Sequence, residues 1–340
     1  MGPVTPLIAV AKAWQRMDPS AEFFWAVTPQ GPEVEVLASA GFRFYPIPVV
    51  KFPRYLSLQW FQWPFQYWRA LKVSEKMIAE LRPDLIVSAG GFTAVPVMRT
   101  ARALNIPCVI HQLDREPGMT NKMTARFATM VTSSFTMGNV FGRPVEVVPT
   151  PNRYVGKMAA DRKNAAAHFQ LSGTRPVMMV VGGGTGARAL NEFVAHQAEN
   201  MIRFADIIHV FGTPERYVIG VDQGGLVRKS FLNEEEMFLA LSAVDIIVSR
   251  AGMGAVSDFA ALQKTAILVP ITGSSQEANA RAMPYPMVLE GEKLNERILD
   301  LVQTLLANPG ERERIGAEAS HMLQTDDGST LAQMWQSILK

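Results

Sequence analysis

Residues 177–194 read VMMVVGGGTGARALNEFV, and this stretch decides the fold. Val177, Met178, Met179, Val180 and Val181 form an unbroken apolar run, the pattern of a strand buried on both faces of a parallel sheet. Gly182, Gly183, Gly184 and Gly186 then turn the chain. Beyond the turn, Ala187, Leu190, Phe193 and Val194 recur at helical spacing, with Asn191 and Glu192 as polar positions between them. The sequence therefore predicts strand, glycine loop and helix. Lacking Cβ atoms, such a loop lets backbone N–H groups at a helix N-terminus approach an anionic oxygen, and the helix dipole favours negative charge there. A phosphate cradle and a plain tight turn in a doubly wound sheet both satisfy this pattern. The glycines match the dinucleotide fingerprint imperfectly, and no P-loop Lys-Ser/Thr follows the last of them.

A chain of 340 residues has room for about two domains. Hydrophobic residues at 48% and charged residues at 19% supply sizeable cores, and a net charge of +2 argues against a general polyanion binder such as a nucleic-acid protein. The single cysteine, Cys108, excludes an internal disulfide, and the 5 histidines are scattered, so no metal-ligand cluster stands out. No apolar run approaches the ~18 residues of a spanning helix. The first residues lack the basic and apolar regions of a signal peptide, so the expectation is a chain that folds in the cytoplasm.

In order along the chain, Met1-Gly2-Pro3-Val4-Thr5-Pro6 leads directly into a helix at residues 7–14. A parallel-sheet domain normally opens with a strand, so the first domain is expected to lack its first strand and to leave that helix under-packed. Strands are expected at 23–27 and 42–49 around a short helix at 34–40. Next comes KFPRYLSLQWFQWPFQYWRALKVSEK at 51–76, where Trp60, Phe61, Trp63, Phe65, Tyr67 and Trp68 alternate with Lys51, Arg54, Arg69, Lys72 and Lys76. Aromatic rings with cationic neighbours suit a membrane interface; a helix packing its aromatics into a core is the alternative. The first half continues with a strand at 83–88, a second glycine turn at Gly90 and Gly91, a helix at 95–104 and a strand at 106–111. That strand delivers His111, Gln112 and Asp114 to the carboxyl edge of the sheet, where open α/β sheets bind ligands. A helix at 120–128 and strands at 131–133 and 145–148 end this half, and a proline-rich linker at 149–153 marks a boundary. The second half repeats the rhythm, with strands at 207–211, 226–231, 245–249 and 264–270, helices from 233, 277, 294 and 309, and a last helix from 329. The expected domains are 1–152, 153–325 and a C-terminal helix at 326–340 that returns to the first.

GGGTGARALN, SRAGMGAVSD, the run Gln276, Asn279, Ala280 and HQLDREPGMTNK together resemble the motifs of the MurG-type glycosyltransferases. The likeness spans nearly the whole chain in the family's order. It implies an α/β GT-B fold of two Rossmann-like, doubly wound domains facing a cleft. The implied activity is inverting transfer of N-acetylglucosamine from UDP-GlcNAc to undecaprenyl-linked lipid I, giving lipid II for peptidoglycan, with no cofactor or metal, at the cytoplasmic face of the cell membrane. Residue by residue, Gly183, Gly184 and Thr185 would face the donor pyrophosphate, and Arg153 would pair with a phosphate. Phe231 and Leu232 match the segment that reads the uracil edge. Arg250, Gly252 and Ser257 match a donor-site stretch in which Ala251 replaces a serine, and Asp258 stands where a glutamate holds the ribose hydroxyls. Gln276 and Asn279 would bind the sugar. Gly90, Gly91, His111, Gln112, Asp114 and Asn121 match acceptor-side motifs. Pro3 stands where the family has a histidine, a candidate general base, so the base role passes to Asp114, with Glu116 and His111 as competitors. Other readings of the same fold are a transferase with another lipid acceptor, a UDP-sugar epimerase, or a non-catalytic UDP-sugar or lipid binder.

Overall fold

The structure, a computed structural model, describes residues 3–29, 31, 33–48, 59–139, 141–183, 186–212 and 224–339, and for residues 59–62 the backbone alone. The chain divides into two compact units, Pro3–Pro151 with Gly328–Lys340, and Asn152–Asp327. Each is built from parallel strands and helices.

The N-terminal unit runs α1 (Val4–Met17), β1 (Phe24–Val27), α2 (Glu33–Ser39), β2 (Arg43–Pro46), α3 (Gln59–Leu81), β3 (Ile86–Ser88), α4 (Ala94–Ala103), β4 (Cys108–Gln112), α5 (Met119–Thr124), β5 (Met130–Ser133), β6 (Glu146–Val147) and β7 (Thr150–Pro151). Strands β1 to β6 form two parallel ladders, β1-β2 and β3-β4-β5-β6. Alternation along each strand feeds two cores. Ala26, Ile86, Cys108, Ile110 and Val131 point to one core, shared with Ala70, Met77 and Ile78 of α3 and Val97 and Met98 of α4. Phe23, Val87, Val109 and Met130 point to the other, shared with Val10, Ala13 and Trp14 of α1 and with Leu331, Ala332 and Trp335 of the helix Ser329–Gln336. Both ladders therefore lie over the same two cores, yet among the described residues no strand pairing joins β1 to β3. The expectation of an under-packed first helix is corrected. Ile8, Val10 and Ala13 are at most 2% exposed, because the C-terminal helix covers α1.

The C-terminal unit runs α6 (Arg162–His168), β8 (Val177–Val181), α7 (Arg188–Met201), β9 (Asp206–Val210), β10 (Leu226–Lys229), α8 (Glu234–Ala243), β11 (Ile246–Ser249), α9 (Met253–Ala261), β12 (Ala266–Leu268), α10 (Ser275–Arg281), α11 (Leu294–Ala307) and α12 (Pro309–Met322). One parallel sheet, in the order β10-β9-β8-β11-β12, forms its centre. All five residues of β8 are buried, as an apolar run in a central strand should be. The helix starts are marked locally. Asp161 accepts from the Asn164 N–H at 3.0 Å to begin α6, a helix that the apolar pattern of the sequence does not announce. Asn233 and Glu236 cap α8 reciprocally, each bond at 2.9 Å.

The join between α1 and the C-terminal helix turns on Gly328, which has φ of +91°. A Cβ there would sit 2.7 Å from Cα and N of Val10. The substitution Gly328→Ala is expected to destabilise the N-terminal unit by about 2 kcal/mol or more, through both the contact and the left-handed backbone. Urea unfolding followed by tryptophan fluorescence measures it; an unchanged midpoint would contradict this packing.

Candidate active site

The order of the C-terminal sheet places a switch point at β8. The chain leaves β8 for β9 and β10 on one side, then returns to β11 and β12 on the other. The loops after β8 and β11 therefore part company at the carboxyl edge, the position where doubly wound sheets take ligands. Gly183 in the first loop has φ of +81° and open space where a Cβ would stand. Gly184 and Thr185 lie outside the described residues. In the second loop, Gly252 also has open space and forms the start of α9 without a side-chain cap.

Beside these loops a buried polar cluster joins the start of the unit to α9. Asp258 accepts from Asn152 Nδ2 at 2.8 Å through Oδ1 and from Arg153 Nη2 at 3.1 Å through Oδ2. Burial pushes the Asp258 carboxyl upward, against the pull of Arg153 and Asn152. Arg153 is nearly enclosed, stacks over the Tyr154 ring at 4.7 Å, and leaves its buried Nε without a partner. The family motif assigns Asp258 to ribose hydroxyls; here both of its oxygens are engaged within the protein. Asn152, which organises this cluster, carries no motif signal of its own, although it stands directly before Arg153.

Other predicted donor-side residues also have internal duties. Ser257 is 1% exposed, donates to the Gly254 carbonyl at 3.0 Å and accepts from Asn152 at 3.3 Å. Asn279 is fully buried and donates to the Ala251 carbonyl at 3.0 Å, tying α10 to the loop after β11 rather than offering its amide to a sugar. Arg250 pairs with Glu290 at 2.6 Å and donates to the Val269 carbonyl at 3.0 Å. Gln276, half-buried, accepts from the Ile271 N–H at 3.2 Å. Leu232 is buried at the end of the segment after β10, just before the α8 cap.

In the N-terminal unit the carboxyl edge carries a second polar group. Gly90 and Gly91, with φ of +109° and +97°, lead into α4. Asn121 is 4% exposed; its Oδ1 has no partner and would lie 3.6 Å from a Cβ on Gly90. Its Nδ2 donates to Gln112 Oε1 at 2.6 Å, and Gln112 Nε2 donates onward to the carbonyls of Asp114 and Glu116 at 2.8 and 3.2 Å. Gln112 thereby shapes the loop that holds Asp114, which is half-buried, and Glu116, which is exposed.

His111 does not belong to this group. It is completely buried, and burial pushes its pKa down to about 3. The Thr132 hydroxyl spends its proton on the Ile110 carbonyl at 3.3 Å, so it must accept at 3.0 Å from His111 Nδ1, leaving Nε2 to face Ser134 at 3.4 Å. An enclosed, neutral imidazole with both nitrogens engaged is a core group, which corrects the expectation that it competes for the base role.

The chain is similar to known proteins in sequence and in fold. Residues 1–133 match the glycosyltransferase family 28 N-terminal domain, and residues 177–325 match the family 28 C-terminal domain. The chain is 32% identical over 339 residues to the UDP-N-acetylglucosamine--N-acetylmuramyl-(pentapeptide) pyrophosphoryl-undecaprenol N-acetylglucosamine transferase of Clavibacter sepedonicus, covering 96% of this chain and 91% of that one. Among solved structures it resembles Acinetobacter baumannii MurG, with a TM-score of 0.68 and 25% identity over 99% of this chain and 96% of that one. It also shares its fold with a Neisseria meningitidis UDP-GlcNAc 2-epimerase, with a TM-score of 0.67 and 12% identity over 98% and 96%.

The two enclosed histidines give the chain an acid-sensitive stability. Burial, then the nearby Arg228, push His209 down to about 4 from an ordinary 6.5. Both rings stay neutral when folded and gain a proton on unfolding once pH drops below 6.5, so their contribution is whole above that value and is lost toward pH 4 and 3. Stability is expected to fall by about 1.4 kcal/mol per pH unit per histidine between pH 6 and 4.5. Urea titrations across that range check this, and His209→Gln should flatten the curve for the C-terminal unit.

Proposed function

The chain belongs to glycosyltransferase family 28, and from that membership we infer that it transfers N-acetylglucosamine from UDP-GlcNAc to lipid I, undecaprenyl-pyrophosphoryl-MurNAc-pentapeptide, to give lipid II. The observation that carries this reading is that likeness to the curated transferases spans 96% of the chain, with the two family 28 domains matched at residues 1–133 and 177–325.

The chemistry asks little covalent work of the protein. The acceptor hydroxyl attacks the anomeric carbon with inversion while UDP departs, so the barrier falls chiefly through alignment of the two substrates and stabilisation of the leaving diphosphate. The N-terminal end of α7 offers main-chain N–H groups and the positive end of a helix dipole, and Gly183 before it has open space where a Cβ would stand. Arg153, held by Asp258 with its Nε unpartnered, adds a fixed positive charge. For the base, Asp114 is the group that fits. Its loop is held by Gln112, whereas His111 is enclosed.

Docking to a membrane accords with the acceptor's chemistry and with α3. No helix among the described residues is long and apolar enough to cross a membrane. On α3, Ala70, Ser74 and Ile78 face the core, while Phe65 and Trp68 are 68% and 54% exposed. An apolar groove beside them is lined by Trp63, Tyr67, Phe92, Val95, Met119 and Met123. Lys72 lies 6.0 Å from the Trp68 ring and Arg99 6.0 Å from the Tyr67 ring. Rings at headgroup depth with cations beside them suit an anionic bilayer surface.

Incubation with UDP-GlcNAc and a lipid I analogue should release UDP and yield a product extended by one sugar. Binding of UDP-GlcNAc without any transfer would replace this reading with a non-catalytic one. Asp114→Asn is expected to lower kcat by about 10²-fold or more with little change in KM for the donor; full turnover by that variant removes Asp114 from the base role. Co-sedimentation with vesicles containing anionic lipid should weaken in the double variant Phe65→Ser/Trp68→Ser and in high salt.

A further inference from the structure

Inside the C-terminal unit, two buried polar side chains meet where an apolar sheet and helix would be expected to need none. Asn191 on α7 is 6% exposed and His209 on β9 is 4% exposed. Asn191 Nδ2 donates to the Phe211 carbonyl at 3.0 Å, and Asn191 Oδ1 lies 3.0 Å from His209 Nε2. A carbonyl can only accept, so the amide orientation is fixed, its oxygen faces the imidazole, and His209 must carry its proton on Nε2. His209 Nδ1 has no partner, which agrees with a neutral ring protonated at the other nitrogen.

The peptide at Phe211 on which this relay ends is a junction. Gly186, closing the glycine turn, has φ of +73°, and a Cβ there would sit 2.3 Å from the Phe211 oxygen, so the turn is seated directly against that carbonyl. On the other side, the Phe211 N–H donates to the Lys229 carbonyl at 3.0 Å and the Gly212 N–H to the Ser230 carbonyl at 3.1 Å. These bonds set the register of the segment that continues into Phe231 and Leu232. One buried carbonyl thus spaces the glycine turn from the segment after β10.

We propose that Asn191 and His209 are a positioning pair that fixes the distance between a diphosphate subsite at the glycine turn and a base subsite at residues 230–232, and so favours a nucleoside diphosphate over the bare nucleoside. This rests on the donor reading given above. Neither side chain touches the ligand. His209 orients the Asn191 amide, the amide holds the Phe211 carbonyl, and the carbonyl seats Gly186. An apolar residue at 209 leaves the Asn191 oxygen buried without a donor, and alanine at 191 frees the carbonyl.

The test titrates UDP and uridine separately into the wild-type chain and into Asn191→Ala, His209→Leu, His209→Gln and the double variant Asn191→Ala/His209→Leu. Asn191→Ala and His209→Leu should each weaken UDP about tenfold or more while moving uridine less than about twofold, as loss of a buried hydrogen bond at the phosphate end predicts. The double variant should be no weaker than the worse single one, because the two act through one contact. His209→Gln, which keeps an N–H near the lost Nε2, should recover most of the UDP affinity. Equal loss of UDP and uridine, additive losses, or unchanged UDP binding would each overturn the pair. Nitrogen-15 NMR of the wild-type chain reads the tautomer whether or not any variant folds, and a proton on Nδ1 would also overturn it. A wild-type chain that does not take UDP sinks the donor reading itself and this pair with it, whereas wild-type binding with indifferent variants sinks the pair alone.

Discussion

A parallel strand buried on both faces cannot offer its side chains to a ligand, and this constraint on β8 governs the rest of the molecule. With all five of its residues enclosed, any chemistry at the centre of the C-terminal sheet has to come from the turn beyond its last residue. The chain answers with glycines, among them Gly183, which has open space where a Cβ would stand. The same constraint explains why the polar residues nearby turn inward. Ser257, Asn279 and Asn191 each hold a main-chain carbonyl: Gly254 in the first turn of α9, Ala251 in the loop after β11, and Phe211 just after β9. Side chains here are used to hold the backbone still.

The N-terminal unit uses a related plan with a different balance. His111 and Gln112 are neighbours on β4, so their side chains leave opposite faces. His111 faces Thr132 and Ser134 and is absorbed by the core. Gln112 faces the loop and sets the path of residues 114–116. Two adjacent polar residues at a strand end therefore have opposite destinies, and the pleat decides which one supports a site.

Much of the architecture was legible because unbroken apolar runs and glycine turns report buried parallel strands with little ambiguity. Residues 177–181 and 246–249 are strands for that reason. Helix starts were less legible: α10 begins at Ser275 rather than 277 because Ser274 caps it through Gln276 N at 3.3 Å. The helix Arg162–His168 escaped notice because only Ala165 and Ala166 face inward, too few to set an apolar period. The return of the C-terminal helix to the first domain was expected, but not that it covers α1, since the two segments lie more than 300 residues apart. At the site, the motifs gave the right neighbourhoods but not the directions of side chains. That Asn279 is enclosed depends on the Ala251 carbonyl, and that Asp258 is occupied depends on Asn152 and Arg153, all contributed by distant segments.

The seating of Leu331, Ala332 and Trp335 against Val10, Ala13 and Trp14 has a consequence for the life of the chain on the ribosome. The second core of the N-terminal unit cannot close until residues 329–336 have been made. The later unit, Asn152–Asp327, is continuous and can consolidate ahead of it. Until then α1 keeps its apolar stripe of Val10, Ala13 and Trp14 without the cover it has in the finished fold.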